Sequence, residues 1–164
     1  MAITVIVKVS TMSTVEAALL RCPRSSPWIK TLTLTRAGVF NEGMRTLVTG
    51  GTGFIGSNLA LRLEERGDDV VITGTSGERN LPTFRGRRLP RDVTQRDWDT
   101  LEALDAVFHL AAINDTTLLD RAAMIRANVE ASQRIFADAV RHGCRRIVYA
   151  SSTAVYGDAP APYR

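Results

Sequence analysis

Residues 49–56 read Thr-Gly-Gly-Thr-Gly-Phe-Ile-Gly, and this stretch is the strongest indication of the fold class. It follows a short apolar run, Thr-Leu-Val at residues 46–48, and it opens a segment with helical periodicity. A glycine-rich turn between a strand and a helix is how doubly wound α/β folds bind a dinucleotide. Gly50 is expected to permit the tight turn, Gly53 to let the backbone approach a pyrophosphate, and Gly56 to let the helix pack closely on the sheet.

The segments after this turn agree with that interpretation. Ile55, Leu59 and Leu63 fall on one face of a helix, which predicts packing on a sheet. Gly67 is expected to end the helix, and residues 70–72 (Val-Val-Ile) indicate the next buried strand. The alternative is a glycine-rich turn without a ligand. The order strand, turn, helix, strand favours a nucleotide-binding unit instead.

The composition of the 164 residues is typical of a soluble globular domain, with 45% hydrophobic and 23% charged residues. The net charge of +4 comes almost entirely from scattered arginines with acids between them, so no nucleic-acid partner is expected. Two cysteines, Cys22 and Cys144, indicate a reducing compartment, and we expect a cytoplasmic protein. The longest apolar runs are far shorter than the roughly 20 residues that span a bilayer. Neither a membrane association nor a metal site is predicted.

Residues 1–43 differ from the rest of the chain. A strand-like run at residues 3–7 leads into a segment rich in Ser, Thr and Arg that holds only two acids, Glu16 and Glu42. Such a composition occurs in transit peptides, although no basic amphipathic helix is visible. The alternative, which we favour, is that Met44 is the natural start and that the residues before it form an extension with poor order.

From Met44 onward, strand and helix patterns alternate, which predicts a parallel sheet covered on both faces. The expected strands lie at about residues 45–49, 69–73, 87–91, 106–110 and 146–150. The expected helices lie at about residues 55–66, 95–102 and 117–141. The last of these helices carries apolar residues at Ile125, Val129, Ile135, Phe136 and Val140. The predicted fold is an α/β, Rossmann-type doubly wound parallel sheet over residues 44–164, truncated after about the fifth strand.

Five motifs follow one another along this part of the chain. They are the glycine-rich turn at 49–56, Asp92-Val93, residues 109–112 (His-Leu-Ala-Ala), Asn128-Val129 and residues 151–157 (Ser-Ser-Thr-Ala-Val-Tyr-Gly). Together they resemble the extended short-chain dehydrogenase/reductase family, in particular its sugar-nucleotide epimerases and dehydratases. The resemblance implies an NAD(P)-dependent enzyme that removes a hydride from a sugar carbon, holds a keto intermediate and returns the hydride after inversion or elimination.

The resemblance also implies which residues hold the cofactor. Those that would line its pyrophosphate are Gly50, Gly53, Phe54, Ile55 and Gly56. Asp92 and Val93 would lie beside the adenine, with the Asp92 carboxylate accepting from the amino group; a turn or helix N-cap role is the alternative. Leu110, Ala111 and Ala112 would pass the adenosine and its ribose, with ordinary strand-end packing as the alternative.

Two further positions complete the site that the resemblance implies. Asn128 would lie behind the active site, near the cofactor, unless it is a solvent-facing helix residue. Ser152 matches the catalytic Ser/Thr, whose hydroxyl would bond the reacting sugar oxygen, and its neighbour Ser151 would lie on the cofactor side. Because Ser151 and Thr153 flank Ser152, the assignment allows a shift of one residue. A Ser/Thr-rich turn that caps the strand is the alternative.

The first departure from the family pattern concerns the cofactor. NAD-binding members need an acid at the end of the second strand to hold the ribose 2′-hydroxyl, and here that position falls at about Gly74. A small neutral residue leaves room for a 2′-phosphate, which Ser76 and Arg79 are placed to bind. Further candidates for this contact are Arg85, Arg87 and Arg88. We therefore expect NADP rather than NAD.

The second departure is the absence of the Tyr-x-x-x-Lys pair that acts as the general base in this family. The tyrosines are Tyr149, Tyr156 and Tyr163, and none has a lysine four residues later. Three interpretations stay open: the cofactor-binding half of a longer epimerase or dehydratase, a non-catalytic NADP(H)-binding module, or a non-functional truncated fragment. In a full-length parent the partner would be a nucleotide sugar, and the long helix would support a homodimer. Residues 112–117 are similar to the ADP-heptose 6-epimerase branch.

Overall fold

The computed structural model describes residues 7–10, 43–75, 77, 80–89, 92–94, 103–115, 117 and 119–152. The strands in these residues are β1 (Val7–Ser10), β2 (Arg45–Thr49), β3 (Asp69–Thr73), β4 (Arg87–Leu89), β5 (Ala106–His109) and β6 (Arg146–Ala150). They form a sheet in the order β1-β6-β5-β2-β3-β4. β2 to β6 run parallel to their neighbours, whereas β1 pairs with β6 in antiparallel fashion. The predicted parallel α/β sheet is confirmed.

The described helices flank this sheet. They are α1 (Phe54–Glu65), α2 (Arg121–Ile125), a π-helical turn (Arg126–Glu130) and α3 (Ala131–Arg141). The predicted strands at 45–49, 69–73 and 146–150 match β2, β3 and β6 residue for residue. The helix predicted at residues 95–102 lies outside the described residues. The long helix predicted at 117–141 begins at residue 121 and contains a π turn that its sequence pattern does not indicate.

Separate apolar cores lie on the two faces of the sheet, because successive residues of a strand point to opposite sides. In β2, Val48 packs in the core below α1 together with Ala60 and Leu63. Leu47 packs in the opposite core, which lies below α3 and contains Ile135. Burial on both faces accounts for the nearly continuous apolar strands, as expected for a parallel sheet.

The exposed apolar side chains mark where the helices leave the sheet. The predicted face of α1 is buried at Leu63 and half-buried at Leu59, but Ile55 is 40% exposed because the first turn lies beyond the strand ends. Ile125 and Val129 are also exposed, at 42% and 48%. A π turn holds one residue more than an α turn, so the apolar residues before and within it are rotated away from the face of α3 that packs on the sheet.

The edge strand β1 lies within the segment that the sequence analysis treats as an N-terminal extension. Its backbone pairs with β6 from Val7 opposite Ala150 to Ser10 opposite Ile147. Since the other residues up to 42 lie outside the described residues, the division of the chain at residue 43 stays a prediction. Among the helices that the structure describes, none has the length and apolar content needed to cross a bilayer.

Candidate cofactor-binding site

The loops that follow the parallel strands meet at one edge of the sheet. The glycine loop (residues 50–53) follows β2, and the β5 loop (residues 110–113) follows β5. From β2 the chain continues on one side to β3 and β4 and then crosses to β5 and β6 on the other side. The crevice between β2 and β5 is therefore the topological switch point, where open α/β sheets bind their ligands. Gly74 after β3 and Ser151 after β6 lie at the same edge.

The glycine loop is held by backbone contacts. Gly50 has a φ of +69°, in the left-handed region that side chains disfavour. A Cβ added at Gly50 would lie 2.8 Å from the Ala111 nitrogen and 2.9 Å from the Ala111 Cα. The Gly51 N–H donates to the Thr73 carbonyl at 2.7 Å, and the Gly53 N–H donates to the Gly50 carbonyl at 3.0 Å. The loop is thereby fixed between the β5 loop and the end of β3.

The N-terminus of α1 carries the features of an anion site. Gly53 is its N-cap and supplies no side-chain cap, and the first turn contains no acidic residue. The N–H groups of this turn lack intrahelical acceptors and stand at the positive end of the helix dipole. A Cβ at Gly56 would run into the backbone of Gly50 and lie 2.9 Å from the Gly51 Cα. Gly56 therefore packs on the glycine loop. The sequence-based prediction that it packs on the sheet is wrong.

The β5 loop is held by a chain of buried side chains. Thr49 Oγ1 accepts hydrogen bonds from the N–H groups of Leu110 at 3.2 Å and Ala111 at 3.3 Å. Its own proton is then directed to His109 Nδ1, which lies 2.6 Å away. Since Nδ1 accepts, the ring proton is on Nε2, which donates to Ser132 Oγ at 2.8 Å. The geometry thus assigns a single tautomer to a neutral histidine.

The surroundings of His109 favour that neutral form. Its side chain is buried, and removal from water lowers the pKa of His109 from 6.5 to about 4. The ring stacks on Tyr149 with centroids 5.7 Å apart and meets the edge of Phe136 at 5.5 Å. Sequence reasoning did not assign this residue a role. The available signal was a histidine in a strand that is otherwise apolar.

Asn128 connects the π turn to the β5 loop. Its Oδ1 accepts from the Ile113 N–H at 2.7 Å, and its Nδ2 donates to the Ile113 carbonyl at 2.8 Å. Its carbonyl accepts from Ser132 Oγ at 2.9 Å, which ends the chain that starts at Thr49. Asn128 is half-buried and is not a solvent-facing helix residue. It positions the loop, whereas a direct contact with a cofactor stays a prediction.

The candidate adenine contacts behave differently from each other. Asp92 is exposed, and its Oδ1 accepts from the Thr94 N–H at 2.7 Å, so its carboxylate caps a turn. Val93 is buried in the core below α3 together with Leu104. Leu110 and the alanine after it are half-buried, and Ala112 is exposed. Contacts of these residues with a cofactor stay predictions.

The candidate catalytic residue and the candidate phosphate contacts are described only in part. Ser151 is half-buried and Ser152 is exposed, directly after β6. Ser76 and Arg79 lie outside the described residues. The Arg88 guanidinium donates to the carbonyls of Leu81 at 3.1 Å and Phe84 at 2.9 Å, so it braces the loop before β4.

Together, the switch-point crevice, the glycine loop and the open helix N-terminus define the class of dinucleotide-binding α/β domains. Residues 46–164 match the model of the NAD dependent epimerase/dehydratase family. The chain belongs to this family.

Among the curated relatives, the chain is 42% identical over 125 residues to the ADP-L-glycero-D-manno-heptose-6-epimerase of Alkalilimnicola ehrlichii, covering 68% of this chain and 37% of that protein. It is 34% identical over 138 residues to the UDP-glucose 4-epimerase of Neisseria gonorrhoeae, covering 73% and 40%. The chain thus spans about two fifths of the length of these relatives.

Similar solved structures again include an ADP-L-glycero-D-manno-heptose-6-epimerase. The ADP-L-glycero-D-manno-heptose-6-epimerase of Helicobacter pylori superposes with a TM-score of 0.69 at 31% identity, over 75% of this chain and 43% of that one. MoeE5 in complex with UDP-glucose and NAD superposes with a TM-score of 0.62 at 37% identity, over 69% and 38%. The matched part of each structure is less than half of its chain.

Proposed function

We propose that this chain forms the NAD(P)-binding part of a sugar-nucleotide epimerase or dehydratase and that it prefers NADP. The observation that carries the proposal is the glycine loop, which places the uncapped start of α1 at the switch point beside the β5 loop. Membership of the family and the relatives that act on nucleotide sugars support it.

The described residues fit a dinucleotide pyrophosphate. Backbone N–H groups at the start of α1 supply donors and a partial positive charge without an acidic side chain nearby. A Cβ at Gly50 or Gly56 would meet backbone atoms of the neighbouring loop, so the cradle depends on bare glycine. Phe54 and Ile55 are exposed at the same helix start and would flank the phosphates.

The β5 loop would hold the adenosine side of the cofactor. The Thr49 hydroxyl fixes the backbone of Leu110 and Ala111, and Asn128 fixes that of Ile113. Both ends of the loop are therefore set before a ligand arrives, which reduces the ordering cost of binding. A bound nicotinamide cofactor would supply the hydride acceptor for a sugar carbon.

Ser152 is the proposed contact to the sugar. It lies exposed at the end of β6, at the same edge as the glycine loop, where its hydroxyl would bond the reacting oxygen of a nucleotide sugar. Relatives named for UDP-glucose and ADP-heptose chemistry support this substrate class. The similarity of residues 112–117 to the ADP-heptose branch favours the second of them.

The preference for NADP rests on the end of β3. Gly74 supplies no carboxylate for a ribose 2′-hydroxyl, and the basic residues nearby in the sequence suit a 2′-phosphate. The Arg88 guanidinium binds the loop carbonyls, so Arg79 and Ser76 are the proposed phosphate contacts, with Arg85 and Arg87 as further candidates.

Isothermal titration of the 164-residue chain with NADP⁺ and with NAD⁺ tests the proposal. We expect NADP⁺ to bind about tenfold more tightly, the effect of one good charge-assisted contact. Arg79→Ala should remove that difference, and Asp69→Ala, at the opposite end of β3, is the control that should keep it. Equal affinities in the unaltered chain would refute the NADP preference, and binding of neither cofactor would refute the proposed function.

A binding module without hydride transfer is the second candidate. The absence of a Tyr-x-x-x-Lys pair from the 164 residues favours it for this chain taken alone. Cofactor binding without conversion of an added nucleotide sugar to its epimer or dehydration product, followed by NMR of the sugar, would support this candidate. Turnover by the chain alone would refute it.

A homodimer is proposed for a full-length parent, through the helical region that starts at α2. Ile125 and Val129 lie one helical turn apart and are both exposed, which leaves an apolar patch for a second copy. Sedimentation of a full-length parent and of its Val129→Glu variant tests this: the substitution should shift a dimer to a monomer, and identical sedimentation would argue against the interface.

A further inference from the structure

The glycine loop and the end of β3 are in contact through Thr52 and Gly74. The Gly51 N–H donates to the Thr73 carbonyl at 2.7 Å, which draws the two segments together. Thr52, the next residue, then lies over Gly74, and both are half-buried. A Cβ added at Gly74 would collide with Thr52 Oγ1 and would lie 3.0 Å from both Thr52 Cβ and Thr52 Cγ2.

A change of the Thr52 rotamer removes only part of this conflict. Rotation about χ1 moves Oγ1 and Cγ2, but the Thr52 Cβ stays in place, 3.0 Å from where a side chain at position 74 would begin. Threonine is also restricted at χ1, so few rotamers are open to it. A side chain at position 74 therefore needs residue 52 to lose both γ atoms, as in alanine, together with a shift of a few tenths of an ångström that relieves the remaining Cβ contact.

Position 74 is the place from which a carboxylate would reach a ribose 2′-hydroxyl, because it directly follows the second strand of the nucleotide-binding unit. We propose that Thr52 is a cofactor-specificity residue: its side chain takes the volume that a side chain at position 74 would need, and so keeps a ribose-binding acid out of the site. The proposal rests on the proposed function, that this edge of the sheet binds a dinucleotide.

Four variants of the 164-residue chain test this proposal: Gly74→Asp, Thr52→Ala, the double variant with both changes, and Gly77→Asp as the control. Among the described residues, no atom lies within 4 Å of a Cβ added at Gly77, so its substitution adds the same charge three residues away without a collision with them. Thermal unfolding reports the collision, and titration with NAD⁺ and NADP⁺ reports the cofactor preference.

We expect Gly74→Asp to unfold at a lower temperature than the unaltered chain and to gain no NAD⁺ affinity. The double variant should recover the loss of melting temperature and shift the affinity ratio towards NAD⁺ by about tenfold, as one charged hydrogen bond would. Gly77→Asp is the control for the collision alone, because its charge lies beside the proposed phosphate contacts Ser76 and Arg79 in the sequence, and it should keep the melting temperature of the unaltered chain. If Gly74→Asp does not fold, recovery in the double variant supports the proposal and failure of both overturns it.

Other outcomes would overturn the inference. A Gly74→Asp chain that is as stable as the unaltered one and shifts to NAD⁺ as far as the double variant would show that Thr52 excludes nothing. A double variant no more stable than Gly74→Asp would have the same meaning. If the unaltered chain binds neither cofactor, the proposed function fails, and the melting temperatures still decide whether Thr52 and residue 74 compete for one volume.

Discussion

The glycine loop and the β5 loop face each other across the switch point but are held by opposite means. The glycine loop depends on missing side chains, since a Cβ at Gly50 or Gly56 would meet backbone. The β5 loop depends on side chains that are present, with Thr49 and Asn128 bonding its backbone. The proposed ligand crevice therefore has a glycine loop without side chains on one side. On the other side it has a β5 loop whose backbone is held by side chains behind it.

This contrast predicts different responses to mutation. Substitutions in the glycine loop should add atoms where no space exists, and the damage should be local and large. Substitutions behind the β5 loop should remove hydrogen bonds, so that stability falls while the surface keeps its shape in part.

Gly56→Ala should have the largest effect. The added methyl would meet the backbone of Gly50 and Gly51, which cannot move without moving the loop, so the free energy of unfolding should fall by about 3 kcal/mol. Binding of NADP⁺ should be lost. Urea denaturation and titration calorimetry measure both effects.

The matched control is Gly77→Ala, since no atom of the part of the chain that the structure describes lies within 4 Å of an added Cβ there. It should keep both stability and binding. If the Gly56→Ala chain binds NADP⁺ like the unaltered chain, the glycine loop does not depend on the absence of a side chain at position 56.

His109→Phe should have the next largest effect. The aromatic ring stays between Tyr149 and Phe136, but the buried Thr49 hydroxyl loses its acceptor, which should lower the free energy of unfolding by about 2 kcal/mol. Cofactor affinity should fall less than in Gly56→Ala, because the glycine loop is intact. Denaturation curves at pH 7 give the comparison.

The same variant isolates a pH effect. Burial lowers the pKa of His109 from 6.5 to about 4, so between these values the unfolded chain binds a proton that the folded chain does not. The contribution of neutral His109 to the free energy of unfolding is complete above about pH 6.5. It is lost as the pH falls towards 4, by up to about 1.4 kcal/mol per pH unit. His109→Phe should lack this slope. Ser132→Ala, which keeps the histidine, should retain it, and a slope that persists in His109→Phe would assign the proton elsewhere.

Asn128→Ala should have the smallest effect of the three. Two hydrogen bonds to the Ile113 backbone are lost, but Asn128 is only half-buried and water can replace part of them, so a loss of about 1 kcal/mol is expected. Amide exchange at Ile113 should quicken while that at Leu47, in the centre of the sheet, stays slow. Unchanged exchange at Ile113 would show that the loop holds its conformation without the amide.

The glycine loop was predictable from the sequence, and the hydrogen bonds that hold the β5 loop were not. Gly50, Gly53 and Gly56 mark a turn whose steric need is local, so spacing alone predicted the strand, the loop and the helix. Apolar runs likewise predicted β2, β3 and β6, because a buried parallel strand has a local signature.

The hydrogen-bond chain through His109 joins residues 60 and 23 positions apart in sequence, and no local pattern reveals such a pairing. Asn128 was predicted to lie behind the active site from family resemblance, but its link to Ile113 needed the fold. The exposure of Ile125 and Val129 was unpredictable for a related reason, since their pattern is helical and only the π turn rotates them outward.

The π turn also affects which changes of chain length this region can accept. A single-residue deletion within Arg126–Glu130 would restore an uninterrupted α-helix and so would cost little as local structure. It would, however, turn every preceding residue by about 100° about the helix axis relative to α3. The extra residue of the π turn thus sets the direction of the Asn128 side chain. In a relative that lacks this residue, we expect a different side chain to hold the β5 loop.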